Sequence, residues 1–185
     1  FIHELRGLSD IEKDIKEHLL LKKVIIVPGD VDSNPAVLKD IGKAAANYLS
    51  KIIKSDSIIA LTGGSSVKEV VESFGEIKNL SNVLVVPARG GMGRTVEIQA
   101  NTLAASLAKK VHGSYRMLHV SENVSLELLK SLKEENDIKE VVQSIHNADV
   151  FLYGVGNAFE MAKKRGLSDE SILKLEKLKA VGEAF

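Results

Sequence analysis

The feature that most constrains the fold lies at residues 57–67, which read S-I-I-A-L-T-G-G-S-S-V. The four apolar residues Ile58–Leu61 are typical of a strand buried on both faces of a parallel sheet. The run stops at a turn rich in glycine and serine, and the spacing of Val67, Val70 and Phe74 predicts a helix directly after it. This order of strand, turn and helix indicates an α/β fold.

The turn at residues 62–66 has the components of an anion-binding site. Glycines let backbone N–H groups approach a ligand, serine hydroxyls add donors, and a helix N-terminus supplies partial positive charge. A phosphate group would suit this turn. A plain turn in which Ser65 or Ser66 only caps the helix explains the same residues equally well, since such turns are common in α/β folds.

The rest of the chain alternates apolar runs with helical patterns. Strands are predicted at residues 24–27, 58–61, 83–86, 116–120 and 150–153. Strands that alternate with helices indicate parallel pairing through right-handed crossovers. The sequence therefore predicts a Rossmann-like, mainly parallel sheet with helices on both faces.

The N-terminal part of the chain is predicted to form a helix that leads into the domain. Ser9 and Glu12 have the spacing of a capping box, and an apolar stripe continues from Ile11. Because a short isolated helix is marginal in water, we expect this stripe to pack on the domain or on a neighbouring subunit. The predicted organisation is a linker helix over residues 1–22 and one domain over residues 23–185.

Composition narrows the classes of function. The 185 residues are 44% hydrophobic and 27% charged, as in an ordinary globular domain. The 25 basic residues balance 25 acidic ones, which leaves no overall field to hold nucleic acid. The absence of cysteine excludes disulfides and thiolate zinc sites. No apolar run is long enough to span a bilayer, so we expect no membrane contact.

Motifs for cofactors, metals and catalysis are missing from the sequence. No G-x-G-x-x-G opens a helix after a first strand, and no P-loop motif is present. The five histidines have no ligand-like spacing. Ser65 and Ser66 have no nearby histidine or aspartate to suggest a nucleophile. We predict no cofactor, no metal site and no catalytic residue.

Three turns rich in small residues follow predicted strands, at residues 62–66, 88–95 and 154–157. In a parallel sheet, ligands bind at the carboxyl ends of the strands, where such turns meet. Arg89 stands beside two glycines after a buried strand, and a guanidinium group can clamp phosphate oxygens with two hydrogen bonds. This placement favours a ligand contact over a surface salt bridge. Two anion sites on one edge would suit a ligand with two phosphates.

Gln99 and Asn101 lie near the start of the helix predicted over residues 97–110. Their amides could bind sugar hydroxyls at the same edge of the sheet. They could equally form an exposed polar face of that helix, and the sequence leaves both interpretations open.

Five motifs in this order resemble the sugar-binding domain of SorC-type bacterial transcription regulators. They are L-T-G-G-S-S-V at residues 61–67, P-A-R-G-G-M-G at 87–93, Q-A-N-T-L-A at 99–104, the stretch 149–156, and K-A-V-G-E at 179–183. The resemblance covers nearly the whole chain. It implies a fold similar to that of sugar-phosphate isomerases and deaminases.

The resemblance also implies a function, that of the effector-binding domain of a DNA-binding repressor. Within the family, the motifs are most similar to repressors of glycolytic genes whose effector is fructose 1,6-bisphosphate. The implied protein is cytoplasmic, forms homodimers or homotetramers, and passes the signal through subunit packing. Operator DNA would be bound only through an N-terminal domain that lies outside this chain. A further strand and a turn carrying a lysine would be expected after Phe185.

The resemblance adds two residues to those found from the pattern. Arg165 matches a basic helix end, and Glu183 matches an acidic contact to the sugar. The predicted effector-binding residues are therefore Thr62, Gly63, Gly64, Ser65, Ser66, Arg89, Gly90, Gly91, Gln99, Asn101, Gly154, Gly156, Arg165 and Glu183.

An aldose–ketose isomerase or deaminase on the same fold is the alternative, because fold alone does not decide function. An isomerase needs a general base beside the phosphate, and Glu97 and Glu183 are the plausible bases near the predicted site. The turns otherwise offer glycine, serine, arginine and amide groups, which bind ligands but do not abstract protons. We therefore favour a binding module over an enzyme.

Overall fold

The structure, a computed structural model, describes residues 2–91, 95–121, 124–132 and 134–184. Within these ranges the chain forms, in order, α1 (Ile2–His18), α2 (Ala36–Ile52), β1 (Ile58–Leu61), α3 (Ser65–Ser73), β2 (Leu84–Pro87), a 3₁₀ turn (Val96–Ile98), α4 (Ala100–Lys110), β3 (Ser114–Tyr115), α5 (Leu126–Leu132), α6 (Asn136–His146), β4 (Val150–Leu152), β5 (Gly156–Asn157), α7 (Ala158–Lys164), α8 (Asp169–Lys177) and β6 (Gly182–Glu183).

Four parallel strands form the main sheet in the order β3-β2-β1-β4. β1 is central, with Ile58 opposite Leu84 of β2 and Ile59 opposite Val150 of β4. Because these strands run in one direction, the turns that follow β1, β2 and β4 lie at the same edge of the sheet. The predicted parallel α/β sheet is confirmed.

The main core lies between the sheet and helices α2, α3 and α4. Ile59 and Leu61 of β1 are fully buried there, together with Leu107 of α4. Ala60 points to the opposite face, since neighbouring residues of a strand alternate, and it is fully buried as well. On that face α6 packs on β1 and β2 and buries Val141. Helices therefore cover both faces, as predicted.

Residues 24–27 do not form a strand, so that prediction is wrong. Residues 25–27, together with residues of α2 and β4, line a cavity of about 610 Å³. A strand needs a neighbour that satisfies its backbone N–H and C=O groups. In the described ranges, β4 pairs only with β1. Residues 25–27 line the same cavity as β4, the last strand of the sheet, but do not pair with it.

The capping role predicted for Ser9 is also wrong, because α1 begins well before this residue. The carboxylate of Glu12 instead accepts a hydrogen bond of 2.7 Å from the backbone N–H of Ile26. This bond ties α1 to the segment that follows it. Ile11 and Leu19 remain 49% and 65% exposed, so the described part of the domain does not cover the apolar stripe.

Two further boundaries differ from the prediction. Residues 116–120 do not form a strand; the third strand is Ser114–Tyr115, with Ser114 opposite Leu84. The helix predicted over residues 97–110 is interrupted at Gln99, whose extended backbone (φ −72°, ψ 141°) separates the 3₁₀ turn from α4. Gln99 therefore sits at a break between two helical segments.

After β4 the chain forms a second, smaller sheet. β5 and β6 pair antiparallel, with Gly156 opposite Glu183. α7 packs on both strands and on α8. We call residues 156–183 the hairpin lobe. The pairing of β6 with β5 places Glu183 close to the end of β4.

Candidate functional site

The turns after β1, β2 and β4 meet the hairpin lobe around one cavity of about 150 Å³. The 610 Å³ cavity is larger, but Lys23 and Tyr48 are the only residues with polar side chains among the described residues that line it, whereas charged, hydroxyl and amide side chains line the smaller cavity. Most of the predicted residues line it: Thr62, Gly63, Gly64, Ser65, Ser66, Arg89, Gly90, Gln99, Gly154, Gly156 and Glu183. Gly91, Asn101 and Arg165 are not part of this lining.

The N-terminus of α3 opens into the cavity without a side-chain cap. Its cap residue is Gly64, with φ +118°, and Ser65 and Ser66 are the first, exposed residues of the helix. The structure therefore does not use either serine as the cap. The first N–H groups of a helix have no acceptor within the helix, and the helix dipole favours an anion beside them. This end of α3 can bind a phosphate.

The turn that precedes α3 lies directly against the start of α4. A Cβ atom on Gly63 would be 2.4 Å from the carbonyl oxygen of Ile98 and 3.3 Å from the nitrogen of Ala100. The Gly64 N–H donates to the same carbonyl oxygen at 2.9 Å. Only glycine at position 63 allows this approach, which joins the turn and the Gln99 segment into one unit.

Thr62 holds the same turn to the neighbouring strand. Its backbone N–H donates to the carbonyl oxygen of Leu152 in β4 at 3.0 Å, and its hydroxyl donates to the carbonyl oxygen of Gly63 at 3.2 Å. The residue is 1% exposed. Thr62 therefore shapes the turn through two hydrogen bonds, one from its backbone N–H to Leu152 and one from its hydroxyl to Gly63.

Two of the described residues that line the cavity carry a charge, Arg89 and Glu183. Arg89 is half-buried in the turn after β2. The side-chain oxygen of Gln99 lies 3.5 Å from the position of a Cβ atom on Gly91, so this amide reaches the same turn. Arg89 and Gln99 thus both line the cavity near the turn after β2, and a guanidinium and an amide are groups suited to phosphate and hydroxyl ligands.

Gly91 follows Gly90 in the turn after β2 but does not line the cavity. Its N–H donates to the carbonyl oxygen of Val120 at 2.8 Å, and it forms a parallel bridge with Ser121. These bonds hold the turn after β2 to the chain beyond β3. Met92, Gly93 and Arg94, in the rest of the predicted turn, lie outside the described residues.

Asn101 has a role other than the predicted one. Its side-chain amide donates to the carbonyl oxygen of Leu118 at 3.0 Å, and its side-chain oxygen accepts from the Leu118 N–H at 2.9 Å. Both ends of the amide therefore bind the backbone of the segment after β3. The sequence left two interpretations open for Asn101, a sugar contact and an exposed polar face. Its two bonds to the Leu118 backbone correspond to neither.

Asn101→Ala should lower the free energy of unfolding by about 1–3 kcal/mol, because it leaves the Leu118 N–H and C=O without these partners. Affinity for a cavity ligand should change less than twofold. Urea unfolding measures the first quantity and calorimetric titration the second. A large loss of affinity with unchanged stability would return Asn101 to the ligand-binding set.

Arg165 contacts Glu183 but is not one of the residues that line the cavity. Its guanidinium forms an ion pair with the Glu183 carboxylate, and the two side chains are 26% and 23% exposed. Arg165 ends α7, whereas Glu183 lies on β6. The two residues, separated by 18 positions, meet inside the hairpin lobe.

The apolar part of the lining was missed by the sequence analysis. Val67, Ile98 and Ala100 adjoin predicted residues, and Val155 lies between two of them, so sequence proximity could have identified these four. Met161 has no such signal. It reaches the cavity because α7 packs on β5, where a Cβ atom on Gly156 would lie 2.8 Å from the Met161 Cγ.

Residues for a metal ion are not clustered in the part of the chain that the structure describes. No group of three or more histidine, aspartate and glutamate side chains is suitably placed there. Among the helices of the same residues, none is both long enough and apolar enough to cross a bilayer.

Comparison with known proteins identifies the protein family of this chain. Residues 3–185 match the family model described as "Putative sugar-binding domain". A crystal structure titled as a "putative SorC family transcriptional regulator" from Enterococcus faecalis has 36% identity and a TM-score of 0.81, over 94% of this chain and 71% of the other. The chain belongs to the sugar-binding domain family of SorC-type transcriptional regulators.

Among its relatives, the central glycolytic genes regulator of Bacillus subtilis is 40% identical over 182 residues, 98% of this chain and 54% of the relative. The regulator of the same name from Priestia megaterium is 36% identical, again over 98% and 54%. The full-length sorbitol operon regulator SorC from Klebsiella pneumoniae shares the fold, with a TM-score of 0.87 at 19% identity over all of this chain and 62% of that one. The chain spans about half the length of the curated relatives it matches.

Proposed function

We propose that this chain is the effector-binding domain of a transcription repressor of glycolytic genes. Its effector is a phosphorylated sugar, with fructose 1,6-bisphosphate as the first candidate. The observation that carries this proposal is the cavity lined by the uncapped N-terminus of α3, by Arg89 and by Glu183. The first two groups suit phosphates, and the third suits hydroxyls.

The ligand is proposed to lie between the end of the sheet and the hairpin lobe. Backbone N–H groups of Ser65 and Ser66 bind one phosphate, with support from the dipole of α3. Arg89 binds the other phosphate through its guanidinium group. Gln99 and Glu183 contact the hydroxyls between the two phosphates.

Binding without turnover is favoured over isomerisation by the placement of the two acidic candidates. Glu97 is exposed and is not part of the cavity lining, and the Glu183 carboxylate is paired with Arg165. The relatives named above are regulators, which agrees with a binding role.

The wider context is part of the same proposal. Residues 1–22 act as a linker and residues 23–185 form the effector-binding domain of a longer cytoplasmic protein. That protein binds operator DNA through a separate N-terminal domain, acts as a homodimer or homotetramer, and has further C-terminal residues near the cavity. The effector then changes the packing between subunits, and this changes the affinity of the repressor for operator DNA.

Titration with matched ligands tests the effector class. Fructose 1,6-bisphosphate should bind at least tenfold more tightly than fructose 6-phosphate, because a monophosphate leaves one anion site to water; the gap is about 1.4 kcal/mol. Free fructose should bind more weakly still. Isothermal titration calorimetry gives the three affinities. Equal affinity for free and phosphorylated fructose would contradict the proposal, and conversion of fructose 6-phosphate to an aldose would identify an enzyme instead.

A further inference from the structure

Helix α2 packs against α3 at Gly42, where the two backbones come into close contact. Gly42 is buried on the same face of α2 as Ala46 and Leu49. A Cβ atom on Gly42 would lie 2.6 Å from the carbonyl oxygen of Glu69 and 2.7 Å from its carbonyl carbon. Both are backbone atoms of α3, so they cannot move aside as the end of a flexible side chain could. The missing side chain at position 42 therefore sets the distance between the two helices.

The two ends of α3 are held differently. At the C-terminal end, the Lys110 ammonium group donates to the carbonyl oxygens of Glu72 and Phe74 at 2.7 and 2.8 Å. Hydrogen bonds from a charged group are stronger than neutral ones, and Phe74 is buried as well. The first residues of the helix, in contrast, are exposed and have no side-chain cap. A group that pushes on the middle of α3 should therefore displace its N-terminal end more than its C-terminal end.

Glu69 lies about one helical turn beyond Ser65, at the end of α3 that is proposed to bind phosphate. Helical hydrogen bonds join these two turns, so that a shift of the Glu69 backbone is carried to the N–H groups of Ser65 and Ser66. Gly42 itself does not line the cavity. It can therefore act on the ligand only through the placement of α3.

We infer that Gly42 is a positioning residue for the proposed phosphate site. The space at position 42 lets α3 lie where the N–H groups of Ser65 and Ser66 reach the cavity. A side chain at this position would move those groups away from the phosphate. This inference rests on the proposed function, and it extends the site to a residue of α2.

Gly42→Ala tests the inference through stability and affinity together. Alanine fits a helical backbone, and at an open helix position the exchange from glycine is stabilising. Because of the contact with Glu69, the variant should instead have a lower Tm than the parent. It should bind fructose 1,6-bisphosphate about tenfold more weakly, the size of one lost hydrogen bond to a charged group. Thermal unfolding and isothermal titration calorimetry measure the two effects.

Two control variants separate positioning from a general loss of stability. Gly7→Ala adds the same methyl group to α1, where no atom lies within 4 Å of the added Cβ, so its Tm should not fall. Val141→Ala removes buried atoms from α6 on the opposite face of the sheet, so its Tm should fall. Both controls should bind the bisphosphate with the affinity of the parent. Should Gly42→Ala unfold in plain buffer, trimethylamine N-oxide, which strengthens burial, keeps the comparison possible.

The amide NMR signals of Ser65 and Ser66 provide a readout that a loss of stability alone does not change. In the parent, both signals should shift when fructose 1,6-bisphosphate is added. In Gly42→Ala, both should differ from the parent before the ligand is added and should shift less at saturation. Val141→Ala should show the same signals and shifts as the parent.

The outcomes are distinct. If Gly42→Ala binds the bisphosphate as tightly as Val141→Ala does, Gly42 affects only stability, and the inference is wrong while the proposed function stands. Ser65 and Ser66 signals that match the parent in Gly42→Ala would also overturn the inference. If the unaltered protein does not bind the bisphosphate, the proposed function fails, and the inference fails with it.

Discussion

Arg89→Ala should weaken binding of fructose 1,6-bisphosphate by about 10- to 100-fold and leave the domain folded. Loss of a charge-assisted hydrogen bond costs about 1.5–3 kcal/mol, and Arg89 is the cationic side chain among the described residues that line the cavity. A ligand at a hundredfold excess over its Kd stabilises the folded state by about 2.7 kcal/mol. At the same ligand concentration this stabilisation should fall to about 1.4 kcal/mol for a tenfold loss of affinity and to about 0.4 kcal/mol for a hundredfold loss, and the rise in Tm should shrink in proportion.

Arg116→Ala is the matched control for this experiment. Arg116 is also an arginine, but it lies outside the cavity lining and is 41% exposed in an ion pair with Glu140. Exposed ion pairs contribute about 0–1 kcal/mol, so this variant should keep both its stability and its ligand affinity. If Arg89→Ala binds the bisphosphate as tightly as Arg116→Ala does, Arg89 is not the second phosphate ligand.

Gly63→Ala should destabilise the domain by about 1–3 kcal/mol and abolish measurable ligand binding at millimolar concentration. The added methyl group would lie 2.4 Å from the Ile98 carbonyl oxygen, so the turn after β1 must move away from the start of α4. That movement breaks the hydrogen bond from Gly64 to Ile98 and displaces the N-terminus of α3. Urea unfolding and calorimetric titration measure the two effects.

Gly75→Ala is the control for the added methyl group. No atom lies within 4 Å of a Cβ atom on Gly75, and its φ is outside the range that favours glycine. The substitution should leave binding unchanged and alter stability by less than about 1 kcal/mol. Equal stability and equal affinity in the two alanine variants would show that the close contact at Gly63 does not shape the site.

The parts of the fold that the sequence predicts well are those encoded over a few neighbouring residues. The stretch at positions 57–74 predicts Ile58–Leu61, the turn after it and α3. The meeting of the turns at one edge followed from parallel pairing alone. Arg89 and Gln99 were found for the same reason, since each lies next to a turn of that edge.

The errors arise where distant contacts decide the structure. Residues 24–27 have the composition of a strand. Whether they form one depends on whether they pair with a strand of the sheet, and they do not. The pairing of Gly156 with Glu183 and the bonds from Asn101 to Leu118 join separated residues without a local pattern. The contacts of Asn101 with Leu118 and of Arg165 with Glu183 are therefore visible only in the folded chain.

The cavity has two sides of separate origin, and this has a consequence for how such domains diversify. The side proposed to bind phosphate is built from backbone at the end of the main sheet, where a methyl group added at Gly63 would lie 2.4 Å from the Ile98 carbonyl oxygen. The opposite side belongs to the hairpin lobe, in which Ala158 and Ala162 are the buried apolar residues of α7 and α8 has none. We therefore expect substitutions in the lobe to change the preferred sugar at little cost in stability, and to leave the proposed phosphate contact at the other side unchanged.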